Sequence, residues 1–214
     1  MIYWVLTILT AVFAYAMGNL NSSIVASNLV FHADLRRLGT GSAALSNFRR
    51  IYGVKGAIKL LLVELVIDLL PILIAGWLFG LKDHAVVGRA FAGFCLVMGR
   101  VYPALYDLHG GHGILALIVT AFCVYFSMGL TILIFVLALL WFNRYMAVAV
   151  LAGAATMIAG ALLLVDDRLA MLLCIFTGVA VIVKHIPAIS RLSAGKETKI
   201  SFKEDINYKF DEKF

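Results

Sequence analysis

Charge is what this sequence has least of. Asp, Glu, Lys and Arg make up 14% of its 214 residues, where a soluble globular domain carries about 25%. With 63% hydrophobic residues and a mean hydropathy of +1.00, the shortage excludes an ordinary water-soluble fold and leaves an integral membrane protein. Cysteine is scarce and odd in number. Cys95, Cys123 and Cys174 all sit inside apolar runs, which argues against a disulfide framework and for small packing side chains. A basic leader is missing ahead of residues 2–18. Although Ala14-Tyr15-Ala16 looks like a cleavage site, the segment therefore reads as a retained first span rather than a secretory signal. The chain also lacks internal repeats and any nucleic-acid motif, so its net charge of +6 is assigned to membrane topology and not to a nucleic-acid partner.

What is present is a succession of hydrophobic runs. Candidate spans lie near 2–18, 54–79, 85–101, 112–126, 129–142, 145–165 and 168–184, against the roughly 20 residues a full crossing needs. The 112–142 run is longer than one crossing and is interrupted by Ser127-Met128-Gly129. Two short helices meeting in a tight turn there is the preferred reading, with one long tilted helix as the rival. The apolar segment 22–31 is short and reads as a helix lying at the interface. The expected fold is an all-α, polytopic integral membrane helix bundle of about seven transmembrane helices, with six as the alternative. By our count, fifteen of the 18 Lys and Arg residues lie in or beside 32–59, 100–112, 143–144 and 184–214. The positive-inside rule then places the N-terminus outside and the C-terminus in the cytoplasm. Residues 1–195 form a single transmembrane domain in this reading, followed by a charged cytoplasmic tail, 196–214. Glu64 and Asp68 lie four apart on the second span. They read as bundle-facing carboxylates that neutralise Arg or Lys, with Arg89 a candidate partner.

Three loops fall on the basic side. The first, 32–50, carries Asp34-Leu35-Arg36-Arg37 and then Gly39-Thr40-Gly41, with Ser42 a candidate cap for a short helix bearing Ser46, Asn47 and Arg50. Glycines let a backbone approach a ligand, hydroxyls and amides donate hydrogen bonds, and arginine pairs with oxyanions. A capped turn with topological arginines is the plainer alternative. The second loop, 99–113, holds Gly99-Arg100, Tyr102-Pro103 and Gly110-Gly111-His112-Gly113, an anion-tolerant glycine cluster just before a helix. Arg100 there is either a phosphate ligand or a snorkelling residue. The third, 184–197, has Lys184-His185, Arg191-Leu192 and Gly195-Lys196-Glu197, and is uninformative alone. Together the loops point to a phosphorylated polar substrate taken from the cytoplasm, with an apolar co-substrate arriving through the bilayer.

These loops, in order and near-unbroken spacing, resemble the bacterial acyl-phosphate:glycerol-3-phosphate acyltransferases (the PlsY family) from about Gly18 to Glu197. The family's first motif matches Asp34-Leu35-Arg36, Gly39-Thr40-Gly41-Ser42, Ser46-Asn47 and Arg50. Its second matches Gly99-Arg100, Tyr102-Pro103 and Gly110-Gly111-His112-Gly113, and its third matches His185, Ala188-Ile189, Arg191-Leu192, Gly195 and Glu197. The resemblance implies a seven-helix enzyme of the bacterial inner membrane with a cytoplasmic active site. It would move an acyl group from acyl phosphate to the 1-hydroxyl of glycerol 3-phosphate, without metal, acyl-CoA or other cofactor. Membrane lipids and the peripheral enzyme that makes acyl phosphate are the implied partners. By the same resemblance Thr40, Asn47, Arg50, His112 and His185 form the catalytic set. Arg36, Gly39, Gly41, Ser42, Ser46, Arg100, Gly110, Gly111, Gly113, Arg191 and Glu197 complete substrate binding or loop anchoring. Six positions depart from the family pattern: Arg100 replaces a histidine, His112 a lysine, Ala188 an asparagine, Glu64 an aspartate, Ile67 a lysine and Asn21 a proline. The lysine loss at His112 matters most, because histidine as a residue type titrates near neutral pH. Arg100 is the residue expected to compensate.

Overall fold

The computed structural model describes residues 2–33, 37–38, 45–106, 108 and 110–195. Among these there are helices and turns and no strands. In chain order they are α1 (Ile2–Asn19), α2 (Ser22–Phe31), α3 (Leu45–Gly80), α4 (Ala85–Val101), a 3₁₀ turn (Ala104–Tyr106), α5 (Ile114–Val124), α6 (Phe126–Asn143), α7 (Met146–Leu164), α8 (Arg168–Lys184) and α9 (Ile186–Ser193). Helices α1 and α3 to α8 stand where apolar runs were expected, and α2 takes the short interfacial segment. Asn21 starts α2 by accepting the Ser23 and Ile24 amides on its side chain. Within α3 the backbone leaves helical geometry at Gly53, just ahead of the apolar run.

The interruption in 112–142 is real but lies elsewhere than expected. The break is at Tyr125, whose extended backbone (φ −149°, ψ 116°) ends α5 and opens α6. Ser127-Met128-Gly129 belongs to the first turn of α6. Gly129 serves close packing and not the break, since a Cβ there would come within 2.6 Å of the Phe122 Cα. The 11 residues of α5 rise only about 16 Å, roughly half of a hydrocarbon core of about 30 Å. Its last turn leaves carbonyls without helical partners, and Arg89 Nη1 donates to one of them, Cys123 O, at 3.1 Å. Arg89 therefore serves the end of α5, in place of the carboxylate pairing expected for it. Among the described residues, α6 and α7 are long and apolar enough to cross a membrane by themselves. The pair α8 and α9, bent by 47°, adds a third candidate.

The chain divides into two compact units, one combining Met1–Asn19 with Ile67–Ile200 and the other centred on Leu20–Val66. In the first, α4 packs against α1, α5 and α8. Its approach to α1 depends on glycine, because a Cβ on Gly99 would lie 2.3 Å from the Tyr15 carbonyl oxygen. The second unit has its own small core of Phe48, Ile51 and Leu60, with Leu38 and Tyr52 packed against it. The Phe48 and Tyr52 rings are tilted, with centroids 4.5 Å apart.

Candidate functional site

The second loop is built back onto the helix it leaves. The α4 helix ends where Pro103 follows the cap residue Tyr102, whose amide still donates to Met98 O at 2.8 Å. Tyr15 Oη donates to the Tyr102 carbonyl at 2.8 Å, which ties the exit of α4 to α1. After the 3₁₀ turn the chain returns, and Gly111 N donates to Arg100 O at 3.1 Å. Gly110 lies so close that a Cβ would sit 2.2 Å from that same oxygen. Gly113 takes the left-handed conformation (φ +69°) that turns the chain into α5. Gly111 and His112 are exposed between these fixed points.

The third loop meets the second. Lys184, at the end of α8, donates from Nζ to Leu108 O at 3.2 Å and lies 5.1 Å from the centroid of the Tyr102 ring. His185 is the joint between α8 and α9. It is buried, and its Nδ1–H donates to Val181 O at 2.8 Å, fixing the ring. Its carbonyl accepts the Ala188 and Ile189 amides at 3.0 and 3.1 Å and so starts α9. The rings of His112 and His185 are 5.4 Å apart.

Between these segments lies an open cavity of about 270 Å³. Gly110, Gly111 and His112 line one side, and Lys184, His185 and Arg191 the other; Ala147, Pro187 and Ala188 complete the wall. Its polar lining among the described residues is an ammonium, a guanidinium, two imidazoles and glycine backbone, with no carboxylate. A cleft of that chemistry attracts an anion with several oxygens.

Of the residues expected from the sequence, Gly110, Gly111, His112, His185 and Arg191 come together here. Gly113 is buried at the head of α5 and shapes the loop without lining the cavity. Arg100 does not line it either. Its guanidinium is buried in an ion pair with Asp68, which is itself fully buried. That pairing carries out the neutralisation expected for Asp68, with Arg100 as its cation in place of Arg89. Asn47 lies in the second unit, 2% exposed, and its Nδ2 donates to Leu38 O at 3.0 Å. Arg36, Gly39, Thr40, Gly41, Ser42 and Glu197 lie outside the described residues, as do the side chains of Ser46 and Arg50. Lys184 was missed as a site residue, because a basic residue ending a last span is what topology alone requires.

Comparison with known proteins identifies the family. A family model described as glycerol-3-phosphate acyltransferase matches residues 8–195. The chain belongs to the glycerol-3-phosphate acyltransferase family. A glycerol-3-phosphate acyltransferase of Finegoldia magna is 32% identical over 198 residues, covering 90% of this chain and 96% of the relative. One from Francisella tularensis subsp. novicida is 28% identical over 193 residues, covering 90% and 92%. The fold is shared with crystal structures of PlsY (YgiH), an integral membrane glycerol 3-phosphate acyltransferase. Its glycerol 3-phosphate form superposes with a TM-score of 0.76 at 22% identity, covering 91% of this chain and 96% of that one. Its lysophosphatidic acid form gives 0.75 at 20% identity, covering 90% and 94%. This family member therefore has the all-helical architecture of an integral membrane protein.

Proposed function

We propose that this family member transfers a fatty acyl group from acyl phosphate to the 1-hydroxyl of sn-glycerol 3-phosphate, releasing lysophosphatidic acid and phosphate. The setting proposed is the cytoplasmic face of a bacterial inner membrane, with a peripheral enzyme that makes acyl phosphate as the supplier of the donor. The observation that carries the reading is the cation-lined cavity where the glycine turn meets Lys184, His185 and Arg191. The relatives named for this acceptor, and PlsY structures named for the acceptor and for an acylated product, support it.

The chemistry asks little of a base. The acceptor hydroxyl oxygen attacks the acyl carbonyl carbon, the carbon–oxygen bond to phosphate breaks, and phosphate leaves with the electron pair. The hydroxyl proton passes to a phosphate oxygen. What remains for the protein is orientation and neutralisation of charge. In the cavity, Lys184 and Arg191 supply fixed positive charge and His112 an imidazole donor. His185, its ring held by Val181 O, supplies a rigid wall and the start of α9. Thr40, Ser42 and Arg50 are further proposed phosphate ligands on the strength of the motif resemblance, whereas Asn47, buried with its amide donating to Leu38 O, is assigned a structural part.

Ligand binding without turnover is the second reading. One observation favours it: the methyl of Ala188 lines the cavity where the family pattern has an asparagine amide. Purified protein in lipid vesicles, given acyl phosphate and glycerol 3-phosphate, decides between them. Formation of lysophosphatidic acid with equimolar phosphate supports transfer. Saturable glycerol 3-phosphate binding with no product overturns transfer in favour of the second reading.

A further inference from the structure

Resting on the reading of the cavity as the acceptor site, we infer that the Asp68–Arg100 ion pair is a positioning device for its glycine turn. Arg100 contributes in two directions. Its guanidinium reaches Asp68 in the portion of α3 that belongs to the first unit. Its backbone carbonyl accepts the Gly111 amide at 3.1 Å and lies where a Gly110 Cβ would be, 2.2 Å away. The turn lining the cavity is thus held by the same residue whose side chain is locked to a neighbouring helix. Asp68 and Arg100 are 0% and 8% exposed, so water does not weaken the pair.

The rest of the anchorage is backbone and apolar packing. The carbonyls of Arg100 and Val101 and the ring of Pro103 surround Gly110, and the Val101 side chain packs under Gly113. A rotation of the last α4 turn would carry Gly110, Gly111 and His112 with it, away from Lys184 and Arg191. Interfaces this tight respond by discrete shifts rather than by gradual deformation. Asp68 does not line the cavity, so its influence on the ligand runs through Arg100 and the turn.

The test compares Asp68→Asn, Asp68→Glu, Arg100→Gln and the double variant Asp68→Asn/Arg100→Gln, each in lipid nanodiscs. Calorimetry reads affinity for glycerol 3-phosphate, thermal unfolding reads stability, and turnover is measured in parallel. Asp68→Asn and Arg100→Gln are each expected to weaken glycerol 3-phosphate binding about tenfold. The double variant should be no worse than either single change, since both break one link. Asp68→Glu keeps the charge but displaces it, and should bind more weakly than wild type while unfolding at a similar temperature. This last variant keeps the test valid should the neutral ones fail to fold.

Lower unfolding temperature with unchanged affinity across the set would overturn the inference and leave a purely structural pair. Stronger binding in Asp68→Asn would overturn it as well, by showing that Arg100 itself is the ligand once released. Wild-type protein that binds glycerol 3-phosphate but forms no product, with affinity still lost in the variants, keeps the inference while overturning acyl transfer. Wild-type protein that binds no glycerol 3-phosphate overturns both.

Discussion

The two compact units use similar materials differently. Both combine glycine-bearing loops with hydroxyl, amide and basic side chains. In the first unit the loop backbone is fixed on carbonyls, and His112, Lys184 and Arg191 line a cavity. In the second, Asn47, Ser27 and Tyr52 bond within their own unit. Asn47 donates to Leu38 O, and Ser27 Oγ donates to Ala33 O at 2.5 Å. Since the Ser27 hydroxyl has one hydrogen, the 2.8 Å contact with Tyr52 must be a donation from Tyr52 Oη to Ser27 Oγ. Polar residues in a membrane protein can therefore line a cavity or tie a local knot, and composition alone does not tell the two apart.

The comparison breaks most visibly at Gly110. Gly110→Ala places a methyl against Arg100 O and Pro103 Cδ, at 2.2 and 2.5 Å. Steady-state assays should show kcat/KM reduced about 100-fold, as expected when a site is displaced by about an ångström. Next is Lys184→Ala. It removes a cavity cation and the hold on Leu108 O, and should raise KM for glycerol 3-phosphate about tenfold or more, since a hydrogen bond to a charged group contributes about 1.5–3 kcal/mol. An unchanged KM would put the acceptor elsewhere.

In the second unit the effects should fall on stability. Asn47→Ala leaves Leu38 O without that amide and should cost about 1–3 kcal/mol in unfolding measurements. A higher KM at unchanged stability would instead place the Asn47 amide on substrate, as the motif resemblance implies. Tyr52→Phe removes one donation to Ser27 and should cost about 0.5–1.5 kcal/mol, with turnover per folded molecule unchanged. Smallest of all is Gly111→Ala. Nothing lies within 4 Å of the added methyl, so kcat/KM should stay within about threefold of wild type. A large loss there would mean that the added methyl projects into the space the phosphate occupies.

Much of this architecture was legible before any coordinates. The bounds of α4 and α8 coincide with apolar runs, because Gly, Pro and charged residues end both the hydrophobic stretch and the helix. The break between α5 and α6 was misplaced for a physical reason. Tyr125 carries no breaker signature, whereas Gly129 looks like one and serves a packing contact. Gly110 to His112 were legible because a glycine cluster is unusual in so apolar a chain, whereas His185 and Arg191 were picked out only by the motif resemblance. Arg100 was not, since its partner Asp68 lies 32 residues away on another helix, a pairing that a single sequence does not display. Lys184 was hidden by having an adequate topological explanation.

The central claim is that the cavity formed by the second and third loops holds the phosphate of the acceptor. A structure determined in lipid with glycerol 3-phosphate bound tests it most directly. The account predicts phosphate oxygens at the Gly110–His112 turn, within hydrogen-bonding reach of Lys184 or Arg191. Glycerol 3-phosphate bound elsewhere, with this cavity empty, would contradict it.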